Sequence, residues 1–112
     1  MRIEIKGRNV PVGDDLRNRV EKKFGKVARQ VSPLARLEIE LKEERNPSIR
    51  DSQIAEVTLH LKGVTLHARE RSDDMGHSIK LVAEDLARQV KRHRDKRRRR
   101  RESAKATQPR TA

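Results

Sequence analysis

The segment IAEVTLHLKGVTLHARE, Ile54 to Glu70, admits very few structures. A two-residue turn at Lys62-Gly63 pairs Leu61 with Val64. Residues opposite one another in a ladder share a face, so Leu61, Leu59, Val57 and Ala55 lie with Val64, Leu66 and Ala68. The alternation of apolar and polar residues in each arm demands the same assignment independently. Turn length and side-chain period therefore agree on one register, and the opposite face is left to Thr58, His60, Thr65 and His67. A lone two-stranded ribbon with one apolar face is marginal in water, so the rest of the chain has to supply more strands and a layer to cover that face.

The flanking segments read that way. RIEIKG alternates, with Ile3 and Ile5 on one side and Arg2, Glu4 and Lys6 on the other, which is the period of a half-buried strand ending at Gly7. After Pro11 the period changes: from Asp14 on, Leu16, Val20, Phe24, Val27 and Val31 recur at steps of three and four, with Arg19, Lys22, Lys23, Lys26 and Arg29 elsewhere. This is an amphipathic helix with a basic flank, carboxylates in its first turn and Pro33 beyond its end. LARLEIELKE returns to period two, with Leu37, Ile39 and Leu41 on one face. Ser72 is the expected N-cap of a second helix, with Asp73 and Asp74 in its first turn and the stripe Met75, Ile79, Val82, Leu86, Val90. That helix is expected to run to about Arg98 and to overhang the sheet with its basic end. The order β-α-β-β-β-α predicts an α+β fold, a two-layer sandwich of one four-stranded sheet with two helices on one face. Residues 1–100 form the expected domain. Residues 101–112, RESAKATQPRTA with its leading arginine, are expected to be a disordered basic tail or the start of a linker.

Charge is distributed unevenly. Residues 1 to 87 hold 17 Lys and Arg against 15 Asp and Glu, whereas residues 88 to 112 hold 12 against 2. In VKRHRDKRRRRRES, Val90 to Ser103, nine cations meet one Asp and one Glu. A helix dipole accounts for two or three cations at a carboxyl end, not for nine. The excess points to a polyanion approached by one edge of the molecule. Arg88, Lys91, Arg92 and Lys96 recur at steps of three and four as one ridge, with Arg94 and Arg97 to Arg101 wrapping the end. Stacking modules read bases with exposed aromatics, and here Phe24 is the only aromatic and sits on a core stripe. Recognition of backbone phosphates and folded shape remains, which structured RNA fits best.

Other chemistry finds little support. With no Cys there is no disulfide, thiolate nucleophile or Cys-based metal site. His60 and His67 are diagonal neighbours on the open sheet face, but no third ligand accompanies them, and a solvated face explains both. His77 and His93 lie on the second helix, where His93 extends the apolar stripe. The pairs Asp14-Asp15, Glu43-Glu44 and Asp73-Asp74 fall at helix starts or in a loop, where capping accounts for them. Phosphate-loop, zinc-protease and nucleophile-elbow motifs are missing, so neither an enzyme, a cofactor nor a small-molecule substrate is expected. No signal-peptide or membrane-length apolar run occurs, and the basic helix lacks aromatic anchors, so the expected location is the cytoplasm, away from membranes.

IEIKGRNVPVGDDLRNRVEKKFGKV, then IAEVTLHLKGVTLHARERSDDMGHSIKLVAEDLARQVKRHRDK, and the element order between them resemble the ribosome hibernation promoting factors, also called ribosome-associated inhibitors. The likeness covers about residues 1 to 97, and GRNV, the KG hairpin, SDDM and LARQVKRHRDK carry it by their order and spacing. It implies a translation inhibitor that occupies the small ribosomal subunit where messenger RNA and transfer RNA would lie, acting by exclusion under stress. It implies ribosomal RNA contacts by Lys22, Lys23 and Lys26 on the first helix and by Arg88, Lys91, Arg92, Arg94 and Lys96 on the second. The family commonly has Tyr after DM, where this chain has Gly76, which loosens the helix start. Longer members add a second domain that pairs two ribosomes, so dimerisation is expected here only if such a domain follows; the chain is a short form or the N-terminal domain of a long one. The layout is that of a double-stranded-RNA-binding domain, whose second helix opens with basic residues rather than SDDM. The competing reading is a general structured-RNA-binding protein without ribosome specificity.

Overall fold

In a computed structural model that describes residues 1–46 and 48–107, the last five of these by backbone alone, each alternating stretch becomes a strand and each amphipathic stretch a helix. The order is β1 (Arg2–Arg8), α1 (Asp14–Gln30), β2 (Arg36–Glu43), β3 (Gln53–Leu61), β4 (Val64–Ser72) and α2 (Met75–Thr107). The sheet has the order β1-β2-β3-β4, with β1 parallel to β2 across the α1 crossover and the other neighbours antiparallel. In the hairpin Leu61 faces Val64, Leu59 faces Leu66 and Val57 faces Ala68, the register required by turn length. Gly63 supplies the positive φ of the turn, 79°.

Because both helices return antiparallel to β1 and β4, which run the same way, they lie parallel on one face of the sheet. Between the layers sits an aliphatic core. Leu37, Ile39 and Leu41 from β2 and Ala55, Val57 and Leu59 from β3 meet Val20, Phe24 and Val27 from α1 and Ile79, Val82 and Leu86 from α2. All are buried, and each large one contributes about 1.5–3 kcal/mol by leaving water.

The GRNV corner has a steric reason. A Cβ on Gly7 would strike the Val10 carbonyl and lie 2.8 Å from Val12 Cγ2. Asn9 takes the left-handed conformation at φ 59°, one that Asn tolerates better than most residues. Gly7→Ala is therefore expected to destabilise the fold by about 1–3 kcal/mol, since backbone has to move. Urea unfolding would check this, and an unchanged midpoint would refute the steric account.

Both ends of α2 depart from expectation. Its N-cap is Asp74, whose Oδ2 accepts from His77 N–H at 2.9 Å, two residues after the expected Ser72. Ser72 is buried instead, its Oγ 2.7 Å from Ser78 Oγ, and Ser78 donates to the Gln53 carbonyl at 2.6 Å. This chain of hydroxyls joins the start of β3, the end of β4 and the first turn of α2. At the other end the helix continues past Arg98 to Thr107, so the tail expected from Arg101 is helical over 101–107; residues 108–112 lie outside the described residues. Arg, Glu, Ala and Lys all favour helix, and no Gly or Pro intervenes before Pro109. With 33 residues, α2 is about 50 Å long at 1.5 Å per residue. Val90 is its last buried residue, and every described side chain from Lys96 on is exposed.

Candidate nucleic-acid interface

Two sides of the molecule carry charge, in opposite states. On the open face of the sheet most of the cations sit beside carboxylates, Lys6 and Arg71 being the exceptions among the described residues. Arg2, Arg8, Arg36 and Arg69 lie 3.7, 3.7, 3.3 and 3.9 Å from Glu4, Glu40, Glu38 and Glu56 respectively. Such exposed pairs add little stability, but they neutralise the face locally. A hollow of about 550 Å³ there is lined by Glu4, Glu38, Glu40 and Glu56 against the single cation Lys6, a balance that repels phosphate.

The histidines belong to this lattice. His60 faces Thr65 and His67 faces Thr58, in the expected register. His67 Nδ1 lies 3.2 Å from Thr58 Oγ1 and its Nε2 3.7 Å from Glu56 Oε1. His60 Nε2 lies 3.4 Å from Glu38 Oε2 without the alignment of a hydrogen bond. Among the described residues no group of three His, Asp or Glu has the geometry to hold a metal ion.

On the helical side the cations are free. Lys22, Lys23, Lys26, Arg88, Lys91, Arg92, Arg94 and Lys96 are all exposed, and among the described residues none makes an ion pair. Amphipathic packing explains their place: Val20, Phe24 and Val27 turn α1 inwards, and Ile79, Val82, Leu86 and Val90 turn α2, leaving the cations outward and towards the seam between the helices.

The seam divides them. Lys23, Lys26, Arg88, Lys91 and Arg94 line one groove of about 380 Å³ between α1 and α2. Lys22 lines an adjoining hollow nearer the helix starts, while Arg92 and Lys96 lie outside the groove lining. The single ridge expected from Arg88, Lys91, Arg92 and Lys96 is thus split. At about 100° per residue, steps of three from Arg88 to Lys91 and Arg94 turn one way around the helix, and steps of four to Arg92 and Lys96 turn the other. Beyond the sheet, Arg94, Arg97, Arg98 and Arg101 surround a further hollow on the overhang.

Lys80 escaped the reading of charge density, because it stands eight residues before Arg88 in a balanced stretch. It lines both the groove and the adjoining hollow. The signal was available in the helical steps 80, 84, 88 and 91. Arg19 was also missed as a site residue: its guanidinium lies over Gly76, in the space a Cβ would take. The absent side chain at the start of α2 is thus replaced in space by a cation from α1.

Known proteins share this fold and much of this sequence. Residues 3–98 match the family described as sigma 54 modulation protein / S30EA ribosomal protein. A curated relative, the ribosome hibernation promotion factor of Staphylococcus aureus (strain COL), is 38% identical over 95 residues, which is 83% of this chain and 48% of that protein. The chain thus spans about half the length of that relative. Among solved structures, the N-terminal domain of Thermus thermophilus Protein Y superposes with TM-score 0.72 at 26% identity, covering 83% of this chain and 99% of that one. A ribosomal subunit interface protein from Coxiella burnetii shares the fold, with TM-score 0.69 at 23% identity over 85% of this chain and 99% of its own. No helix among the described residues is long and apolar enough to cross a membrane. By the match over residues 3–98 and the 38% identity to a hibernation factor, the chain belongs to the ribosome hibernation promoting factor family, that of the S30EA ribosomal proteins.

Proposed function

We propose that this protein binds the small ribosomal subunit in the channel for messenger RNA and transfer RNA, and keeps idle ribosomes in hibernation by filling it. The observation that carries the reading is the contrast of faces: among the described residues the cations along the two parallel helices make no ion pair, whereas on the sheet most cations, all but Lys6 and Arg71, lie beside carboxylates. Lys22, Lys23, Lys26, Arg88, Lys91, Arg92, Arg94 and Lys96 are assigned to phosphates of ribosomal RNA, and the present geometry adds Lys80. The mechanism is exclusion. A body 27 Å by 18 Å in section and 71 Å long competes for space with nucleic acid and makes or breaks no bond. The protein would act in the cytoplasm, with the ribosomes, during stress. The names of the relatives, a hibernation promotion factor and a subunit interface protein, support the same partner. Joining two ribosomes is not assigned to this domain.

The arginine-rich overhang favours a second reading, an RNA-binding protein that coats any polyanion. Cryo-EM of small subunits mixed with the protein separates the two. The expected map has the helices against ribosomal RNA in the channel and transfer RNA displaced. Density elsewhere, or equal affinity for naked duplex RNA at matched salt, would remove the ribosome-specific reading.

A further inference from the structure

The groove between α1 and α2 has features that a surface for phosphates alone does not need. Its floor is apolar and small: Val27 and Ala83 are buried and Ala87 is half-buried. Lys23 and Lys26, from the second half of α1, and Lys80, from the second turn of α2, converge on it from both sides. Further along stands Gln30, the last residue of α1, whose buried Oε1 has no hydrogen-bond partner among the described residues. A buried acceptor without a donor is uncommon in a folded protein and marks a place where a donor is wanted. The volume, about 380 Å³, falls within the range of small-molecule sites.

We propose that this groove binds a nucleoside polyphosphate. The phosphate chain lies on Lys23, Lys26 and Lys80, as point charges suit it. Ribose and base rest on Val27, Ala83 and Ala87, and an N–H or O–H of the nucleoside donates to Gln30 Oε1. Arg88 lines the groove two turns beyond Lys80 and offers a guanidinium plane to the base, a role that no aromatic can fill here because Phe24 is fully buried. Glu84, one turn beyond Lys80, is the one carboxylate in the lining and separates the three lysines from Arg88, Lys91 and Arg94 at the other end. Since Lys23, Lys26, Lys80 and Arg88 are also assigned to RNA, bound nucleotide and bound ribosome exclude one another. The site rests on the proposed function only through those shared cations.

Isothermal titration of the whole chain at physiological salt, with ATP and separately with inorganic tripolyphosphate, tests the site without ribosomes. Failure therefore leaves ribosome binding standing. ATP is expected to bind about tenfold more tightly than tripolyphosphate, through the nucleoside contacts. Lys80→Ala weakens both ligands. Gln30→Leu, which keeps the volume and removes the acceptor, and Ala87→Leu, which fills the floor, each bring ATP down to the tripolyphosphate value, with far-UV circular dichroism confirming the fold. ATP binding no tighter than tripolyphosphate, or unaltered in either of these two variants, overturns the proposal.

Discussion

Replacing Lys91, Arg92, Arg94 and Lys96 together with Ala is expected to weaken binding to small subunits by about 100-fold or more, and to flatten its dependence on salt. Each phosphate contact releases counterions and contributes about 0.7–0.9 to the slope of log affinity against log salt, so loss of four contacts lowers the slope by about 3. The four side chains are exposed and make no ion pair among the described residues, and Ala favours helix, so folding stability is expected to hold. A second variant, Lys22, Lys23 and Lys26 to Ala, lowers the slope by about 2 if α1 also touches RNA. Filter binding across a salt series measures both. A slope unaltered in the first variant would mean that α2 does not meet phosphate, and the proposed mode of binding would be wrong.

Phe24→Ala is the substitution expected to cost most in stability. Phe24 is the only aromatic of the chain and is 0% exposed, between α2 and the sheet in a core otherwise built from aliphatic chains and Met75. Truncating a buried Phe removes transfer free energy and leaves a cavity, together about 3–5 kcal/mol. Against a total of about 5–15 kcal/mol for a domain, that leaves a population of unfolded chains detectable at ordinary temperature. Urea unfolding has to be followed by far-UV circular dichroism, because no Trp or Tyr reports on the core. Leu34 is the matching control: it is 94% exposed, so Leu34→Ala is expected to alter stability by no more than about 0.5 kcal/mol. A Phe24→Ala cost as small as that of the control would contradict the packing described for α1.

The elements were legible where local periodicity and tertiary packing ask for the same thing. In the hairpin, turn length and alternation are set by neighbouring residues, and the ladder from Leu61 and Val64 outward obeys both. Ser72 misled because its hydroxyl, besides meeting the Asp74 backbone, is buried against Ser78, which donates to the Gln53 carbonyl; a partner 25 residues from Ser78 leaves no mark beside Ser72. The end of α2 was placed too early because a polar, charged segment was judged by its lack of a core stripe, whereas helix formation there follows intrinsic preference for Arg, Glu and Ala. The eight cations could be picked out by counting charge. The groove could not, since it exists only because α1 and α2 run parallel and bring Lys23 and Lys26 beside Lys80, which is 57 and 54 positions away from them in the chain. The Gln30 orphan is a property of packing alone.

The paired lattice on the sheet has a consequence for how the molecule travels. With carboxylates clustered at Glu4, Glu38, Glu40 and Glu56 on the sheet and unbalanced cations on the helices and the arginine-rich overhang of α2, the centres of negative and positive charge are displaced from one another. Near a polyanion this separation exerts a torque. The protein is turned helices-first before it touches, so that a large share of diffusive encounters begin the right way up.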